Sequence, residues 1–109
     1  MSDMISFEDF KKLDLRVAEI IDVKEHPNAD KLYVLKISLG DETKQIVAGI
    51  RNQYEMDQLK GKKIIVVNNL EPAVLRGEES NGMLLAASDA GSPIIITPDR
   101  DVPSGTKIQ

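Results

Sequence analysis

The side chains able to do chemistry are few, and their types suit contact with an anion better than bond making. The one histidine, His26, stands before Pro27 among turn formers. A histidine metal site or a Ser-His-Asp relay would have little to build on there, and His26 reads as a surface turn residue. The chain has no cysteine, which removes thiolate metal sites, disulfides and a cysteine nucleophile and fits a reducing compartment. Glu78 and Glu79 are adjacent in a loop and read as solvated carboxylates. Neither a G-x-x-x-x-G-K-[ST] nor a G-x-G-x-x-G stretch occurs. No catalytic residue, metal or cofactor is therefore expected, and the chain does not read as an enzyme. What stands out is Arg76 in the stretch NNLEPAVLRGEESNGMLLAAS at 68–88, a forked donor suited to phosphate in a loop between two apolar runs.

The elements that must hold this loop follow from pattern. Ile64, Ile65, Val66 and Val67 lead into it, and Met83 to Ala87 lead out, with Pro72, Arg76-Gly77 and Asn81-Gly82 as turn signals between them. Upstream, Ser6 with Asp9 fits a helix cap, so a short helix is expected at about 6–12, its Phe7 and Phe10 plugging one end of the core. Residues 15–24 read as a strand whose parity changes near 18–20, the mark of a bulge or strong bend. After the turn at 26–30, Tyr33, Leu35, Ile37 and Leu39 share one face at period two, and 44–49 reads as the hairpin partner. Residues 51–60 suit a short helix or turn, 62–68 a fourth strand, 83–88 a fifth, 93–97 a sixth, with a last pairing near 106–108. Five strands with a short helix between the third and fourth is the layout of an OB-fold barrel in an all-β chain, an open β-sandwich being the competitor.

A chain of 109 residues corresponds to about one domain, residues 1–109, and its 41% apolar and 29% charged residues read as globular. No apolar run reaches the length of a membrane span, and the N-terminus lacks the basic and apolar regions of a signal peptide, so a cytoplasmic location without membrane contact is expected. The net charge of -4 runs against nucleic acid, but residues 24–76 hold nine Lys/Arg against seven Asp/Glu, a slightly basic middle in an acidic chain. Two Phe, two Tyr and no Trp are too few for a platform that stacks bases of an extended strand. Recognition of a shaped RNA through its backbone needs fewer aromatics.

LDLRVAEI at 13–20, HPNADKLYVLKISLG at 26–40, QIVAGI at 45–50 and NLEPAVLRGEESNGMLLAAS at 69–88 together resemble the tRNA-binding domain appended to methionyl- and some tyrosyl-tRNA synthetases. That domain also occurs as a free-standing structure-specific tRNA-binding protein and in the endothelial monocyte-activating polypeptide group. The resemblance covers about residues 7–108. It implies an OB-fold, tRNA as partner bound by shape, no catalysis, and a homodimer or an accessory piece of methionyl-tRNA synthetase active in aminoacylation and translation. The stretch ITPDRDVPSGTKI matches the extended, dimeric form, in which Ile94, Ile95 and Ile96 would serve the interface or bury against their own barrel.

Within the matching turn, Lys31 can meet a phosphate and Asn28 a sugar or base edge, unless Asn28 caps the turn and Lys31 is merely solvated. In the loop, Arg76 offers phosphate a fork, Ser80 a hydroxyl and Met83 a flexible apolar contact, Met83 reading equally as core filler. Arg51 could face the same groove or stand free on the surface. Lys44 and the cluster Lys60, Lys62, Lys63 would add diffuse attraction. The chain departs from the family at Glu71 and Val74, where lysines are common, and each lost phosphate contact lowers affinity and its salt dependence. The alternative function is that of CsaA-like chaperones binding unfolded polypeptide, which share length, layout and ending; the HPNADKL turn favours tRNA. A plain interaction domain without an RNA role is the third reading.

Overall fold

The computed structural model describes residues 3–109. In chain order the elements are α1 (Phe7–Phe10), β1 (Leu15–Glu25), β2 (Tyr33–Ser38), β3 (Thr43–Ala48), α2 (Met56–Leu59), β4 (Lys63–Val67), β5 (Ala73–Leu75), β6 (Glu78–Ser80), β7 (Met83–Leu84), β8 (Ala86–Asp89) and β9 (Ser92–Ile95). β3, β2, β1, β4 and β7 form one antiparallel sheet in that order, while β5–β6 and β8–β9 are separate two-stranded hairpins. The sheet curls into an OB-like barrel.

Alternation dictates the interior. Leu35 pairs with Ile46 and Ile20 with Ile37, and directly paired residues share a face, so all four point inward with Ile64, Val66 and Leu84. Leu59 of α2 closes one end of this core and is fully buried. The chain after α2 is pinned by Gly61 N–H on the Ile20 carbonyl at 2.7 Å and by Ile20 N–H on the Lys62 carbonyl at 2.9 Å.

β1 carries a bulge. Its register with β2 jumps between Ile20 and Asp22, leaving Ile21 without a partner; the bulge expected near 18–20 sits one to two residues later. Val17 and Ala18 are both buried although they point to opposite faces. The reason is the C-terminal segment, which lies against β1: Val17 N–H donates to the Thr106 carbonyl at 2.8 Å, Gly105 N–H to the Val17 carbonyl at 2.7 Å, and Arg16 bridges to Lys107. The pairing expected near 106–108 is thus present.

Two expectations need correction. Ser6 caps α1 as predicted, accepting from Asp9 N–H at 3.0 Å, but Phe7 and Phe10 do not plug the core. They stack on each other with ring centroids 6.5 Å apart, Phe7 exposed, beside a hollow shared with Leu13 and Ile108, because α1 lies outside a barrel end filled by other residues. The fifth strand expected at 83–88 is broken at Leu85. Its first half pairs with β4 and its second with β9, so residues 86–95 leave the barrel as a hairpin.

Asp14 ties the start of β1 to the end of β4. Its carboxylate accepts from Arg16 Nε at 2.7 Å and from Asn68 Nδ2 at 3.0 Å, and these bonds, the Arg16 bond foremost, hold its pKa below the ordinary carboxylate value. A lowered folded-state pKa contributes stability that is present above the unfolded-state value and is lost as pH falls through the folded one. Urea unfolding should show Asp14→Asn less stable than the parent at pH 7 and the gap closing in acid. A gap unchanged at pH 2 would contradict this.

Candidate nucleic-acid interface

The middle of the stretch at 68–88, residues 73–80, is a hairpin laid on the barrel. β5 and β6 pair Ala73 with Ser80, Val74 with Glu79 and Leu75 with Glu78, leaving Arg76 and Gly77 as a two-residue turn with φ of 54° and 94°. Positive φ at both positions is the type I′ pattern that matches strand twist, and a non-glycine residue there carries about 1 kcal/mol of strain. The result is an exposed arginine at a rigid tip. Among the described residues no carboxylate lies within salt-bridge distance of it.

Ser80 fixes that hairpin instead of presenting a hydroxyl, contrary to expectation. The residue is 5% exposed; Oγ accepts from Val47 N–H at 2.9 Å and donates to the Gly82 carbonyl at 3.0 Å. Gln45 adds a second clasp, donating to the Glu79 carbonyl at 2.9 Å and to Glu78 Oε1 at 3.2 Å. Glu78 is therefore engaged, not simply solvated.

His26 also departs from its expected place on the surface. The residue is 3% exposed; Nδ1 accepts from Asn28 N–H at 2.9 Å, and Nε2 meets the Leu75 carbonyl at 2.8 Å. It joins the 26–31 turn to the residue before Arg76. Asn28 and Lys31 are exposed on that turn. Arg51 braces it from below: Nη1 donates to the Ala29 carbonyl at 3.3 Å, Nη2 pairs with Glu25 at 3.1 Å, and the backbone N–H reaches the Lys31 carbonyl at 3.4 Å. Arg51 is thus neither a free surface arginine nor a fully available one.

Met83 is exposed and not core filler. It borders a largely apolar hollow of about 250 Å³ with Val47, Leu70, Leu75 and Ser80. Strand β5 divides the two groups of candidates, its Leu75 carbonyl bonded to His26 while Leu75 also lines the Met83 hollow. Asn28, Lys31, Arg51 and Arg76 are thus linked through the turn, with Met83 across the hairpin from them.

The expected diffuse charge is smaller than the lysine count suggests. Lys44 Nζ donates to the Asn68 carbonyl at 2.9 Å, and Lys63 Nζ pairs with Asp101 at 2.9 Å and also donates to the Val102 carbonyl. Two lysines passed over in the sequence are better placed. Register puts Asp22, Lys36 and Gln45 in one row of the outer sheet face and Lys24, Val34 and Val47 in the next. There Lys24 and Lys36 border a hollow of about 310 Å³ beside the hairpin. Strand alternation, carried from the inward residues to the outward ones, would have found them.

Among the described residues no group of His, Cys, Asp and Glu could hold a metal ion, and no helix is long and apolar enough to cross a membrane. What the surface offers is a set of fixed donors on one edge of the barrel and an apolar strip beside them.

Known proteins are similar to this chain in sequence and fold. The family described as "Putative tRNA binding domain" matches residues 15–107. The methionine–tRNA ligase of Thermococcus onnurineus is 50% identical over 107 residues, 98% of this chain, which spans about 15% of that relative's length. The MetRS-related protein of Pyrococcus horikoshii superposes with a TM-score of 0.93 at 31% identity, over 99% of this chain and 100% of that one. The CsaA chaperone protein of Picrophilus torridus superposes with a TM-score of 0.91 at 38% identity, over 97% and 100%. With its barrel, turn and hairpin all inside the matched residues, the chain belongs to the tRNA-binding domain family.

Proposed function

We propose that residues 1–109 act as one non-catalytic, cytoplasmic module that binds tRNA by its shape, as a homodimer or as an accessory piece of methionyl-tRNA synthetase. The observation that carries this is Arg76, without an ion-pair partner among the described residues, on a strained tip whose preceding Leu75 carbonyl is hydrogen-bonded to His26 of the turn that displays Asn28 and Lys31. Fixed donors at set spacing suit a folded phosphate backbone. Stacking is a poor alternative, because the Tyr33 hydroxyl donates to the Tyr54 carbonyl and the Tyr54 hydroxyl accepts from Ile95 N–H, which keeps both rings in structural roles. The reading is tested by competition: folded tRNA should displace labelled tRNA far better than an unstructured RNA of equal length. Equal displacement would remove shape as the basis of recognition.

The polypeptide-binding alternative has one observation in its favour. Leu70, Val74, Leu75 and Met83 expose apolar surface around the hairpin, with Glu71 among them, where lysines would favour RNA.

Dimerisation is supported by apolar surface elsewhere. Ile94 and Ile96 are exposed while Ile95 packs on the core, and Met4, Ile5, Phe7 and Leu13 are exposed at the other end of the chain. Light scattering at micromolar concentration should return twice the 12.1 kDa chain mass. The mass of a single chain would reject the dimer.

A further inference from the structure

We propose that His26 is a positioning residue for RNA binding: its imidazole pins the free edge of the β5–β6 hairpin and so aims Arg76. The inference rests on the tRNA reading above and adds a residue that would touch no RNA itself. It starts from the ring's two bonds. Nδ1 accepts from Asn28 N–H at 2.9 Å, so that nitrogen carries no proton, and the neutral ring holds its hydrogen on Nε2. Nε2–H then donates to the Leu75 carbonyl at 2.8 Å, 49 residues away. One bond is internal to the turn. The other joins two walls of the interface.

The hairpin needs that second bond. Its β6 side is fastened to β3 by Ser80 and Gln45. Its β5 side is an edge: Ala73, Val74 and Leu75 are all exposed, and β5 belongs to no sheet but the hairpin's own. Among the described residues, the bond from His26 is the one hydrogen bond that ties residues 70–77 to anything beyond the hairpin. Leu75 directly precedes the turn, so the bond fixes the backbone where Arg76 leaves it. A buried ring with both nitrogens engaged is a stiff strut, since letting it move strands a carbonyl and an amide without partners.

Glutamine and asparagine separate the two bonds, because a Gln amide nitrogen falls near Nε2 and an Asn amide oxygen falls near Nδ1. In His26→Asn the turn bond is kept and the bridge is cut; in His26→Gln the bridge is kept. The expected result is that His26→Asn weakens tRNA binding about tenfold and speeds amide exchange in the hairpin while β1 and β2 stay protected. His26→Gln should bind within about threefold of the parent, with hairpin exchange near its level. In an Arg76→Ala background the His26→Asn loss should shrink to about twofold, since the group being aimed is gone. Parental affinity in His26→Asn, or equal losses in both variants, or a full loss without Arg76, would overturn the proposal. If the parent itself binds no tRNA, the functional reading fails instead, and unchanged hairpin exchange in His26→Asn would separately refute the strut.

Discussion

Alanine at both Lys31 and Arg76 is expected to lower tRNA affinity about a hundredfold, each exposed cation contributing about 1.4 kcal/mol through charge-assisted contacts to phosphate. The two side chains stand on different elements and, among the described residues, neither has an ion-pair partner. Their effects should therefore add. Removing two phosphate contacts should also flatten the slope of log affinity against log salt by about 1.5 to 2. The comparison that gives this meaning is Lys44→Ala or Lys63→Ala. Those ammonium groups already serve backbone carbonyls, so their loss should cost stability while leaving the salt slope nearly unchanged. Fluorescence anisotropy at several salt concentrations checks both statements. A double variant that binds like the parent would remove these residues from the interface.

Gly105→Ala is expected to destabilise the fold by about 2–4 kcal/mol, from left-handed strain combined with a backbone clash. Gly105 has φ of 91°, and a Cβ there would run into the Leu39 carbonyl oxygen and approach its carbon to 3.2 Å. Both are backbone atoms at the end of the β2 segment, so no side chain can swing aside. Relief requires the C-terminal segment to lift off, which breaks the Gly105 bond to Val17 and the Arg16 bond to the Gly105 carbonyl at 3.3 Å. Val17 would then lose its cover. Urea denaturation should show a lower midpoint with an unchanged slope. A midpoint equal to the parent's would mean that this segment does not close the barrel.

What could be read from the chain and what could not divide along one line. Period-two patterns reveal which face of a strand is inward, so the β2 face of Tyr33, Leu35 and Ile37, its hairpin with β3, and α2 between β3 and β4 were all legible. Partners far away in sequence were not. His26 looked like a turn residue because nothing local reports a carbonyl at Leu75, and Ser80 looked free because its acceptor role depends on Val47 of β3. Lys44 and Lys63 looked like solvated charge for the same reason. Phe7 and Phe10 were misplaced because a helical spacing shows that two rings share a face, not that the face meets the core. At 83–88 the apolar run hid a change of partner at Leu85, since strand pattern is the same whether the neighbour is β4 or β9.

Glu71 and Val74 set the character of the hairpin's flank. Both are exposed, Val74 at 69%, and Glu71 lines the hollow that Met83 borders. The hairpin thus has a cationic tip at Arg76 and an apolar flank, and the two sides suit different ligands.

The measurement that decides between them is a titration of the protein with total tRNA at low and moderate salt, run beside an unfolded polypeptide. Saturable tRNA binding that weakens steeply with salt, with the polypeptide bound weakly or not at all, is the predicted result. No tRNA binding at low salt, with the polypeptide bound in its place, would contradict it.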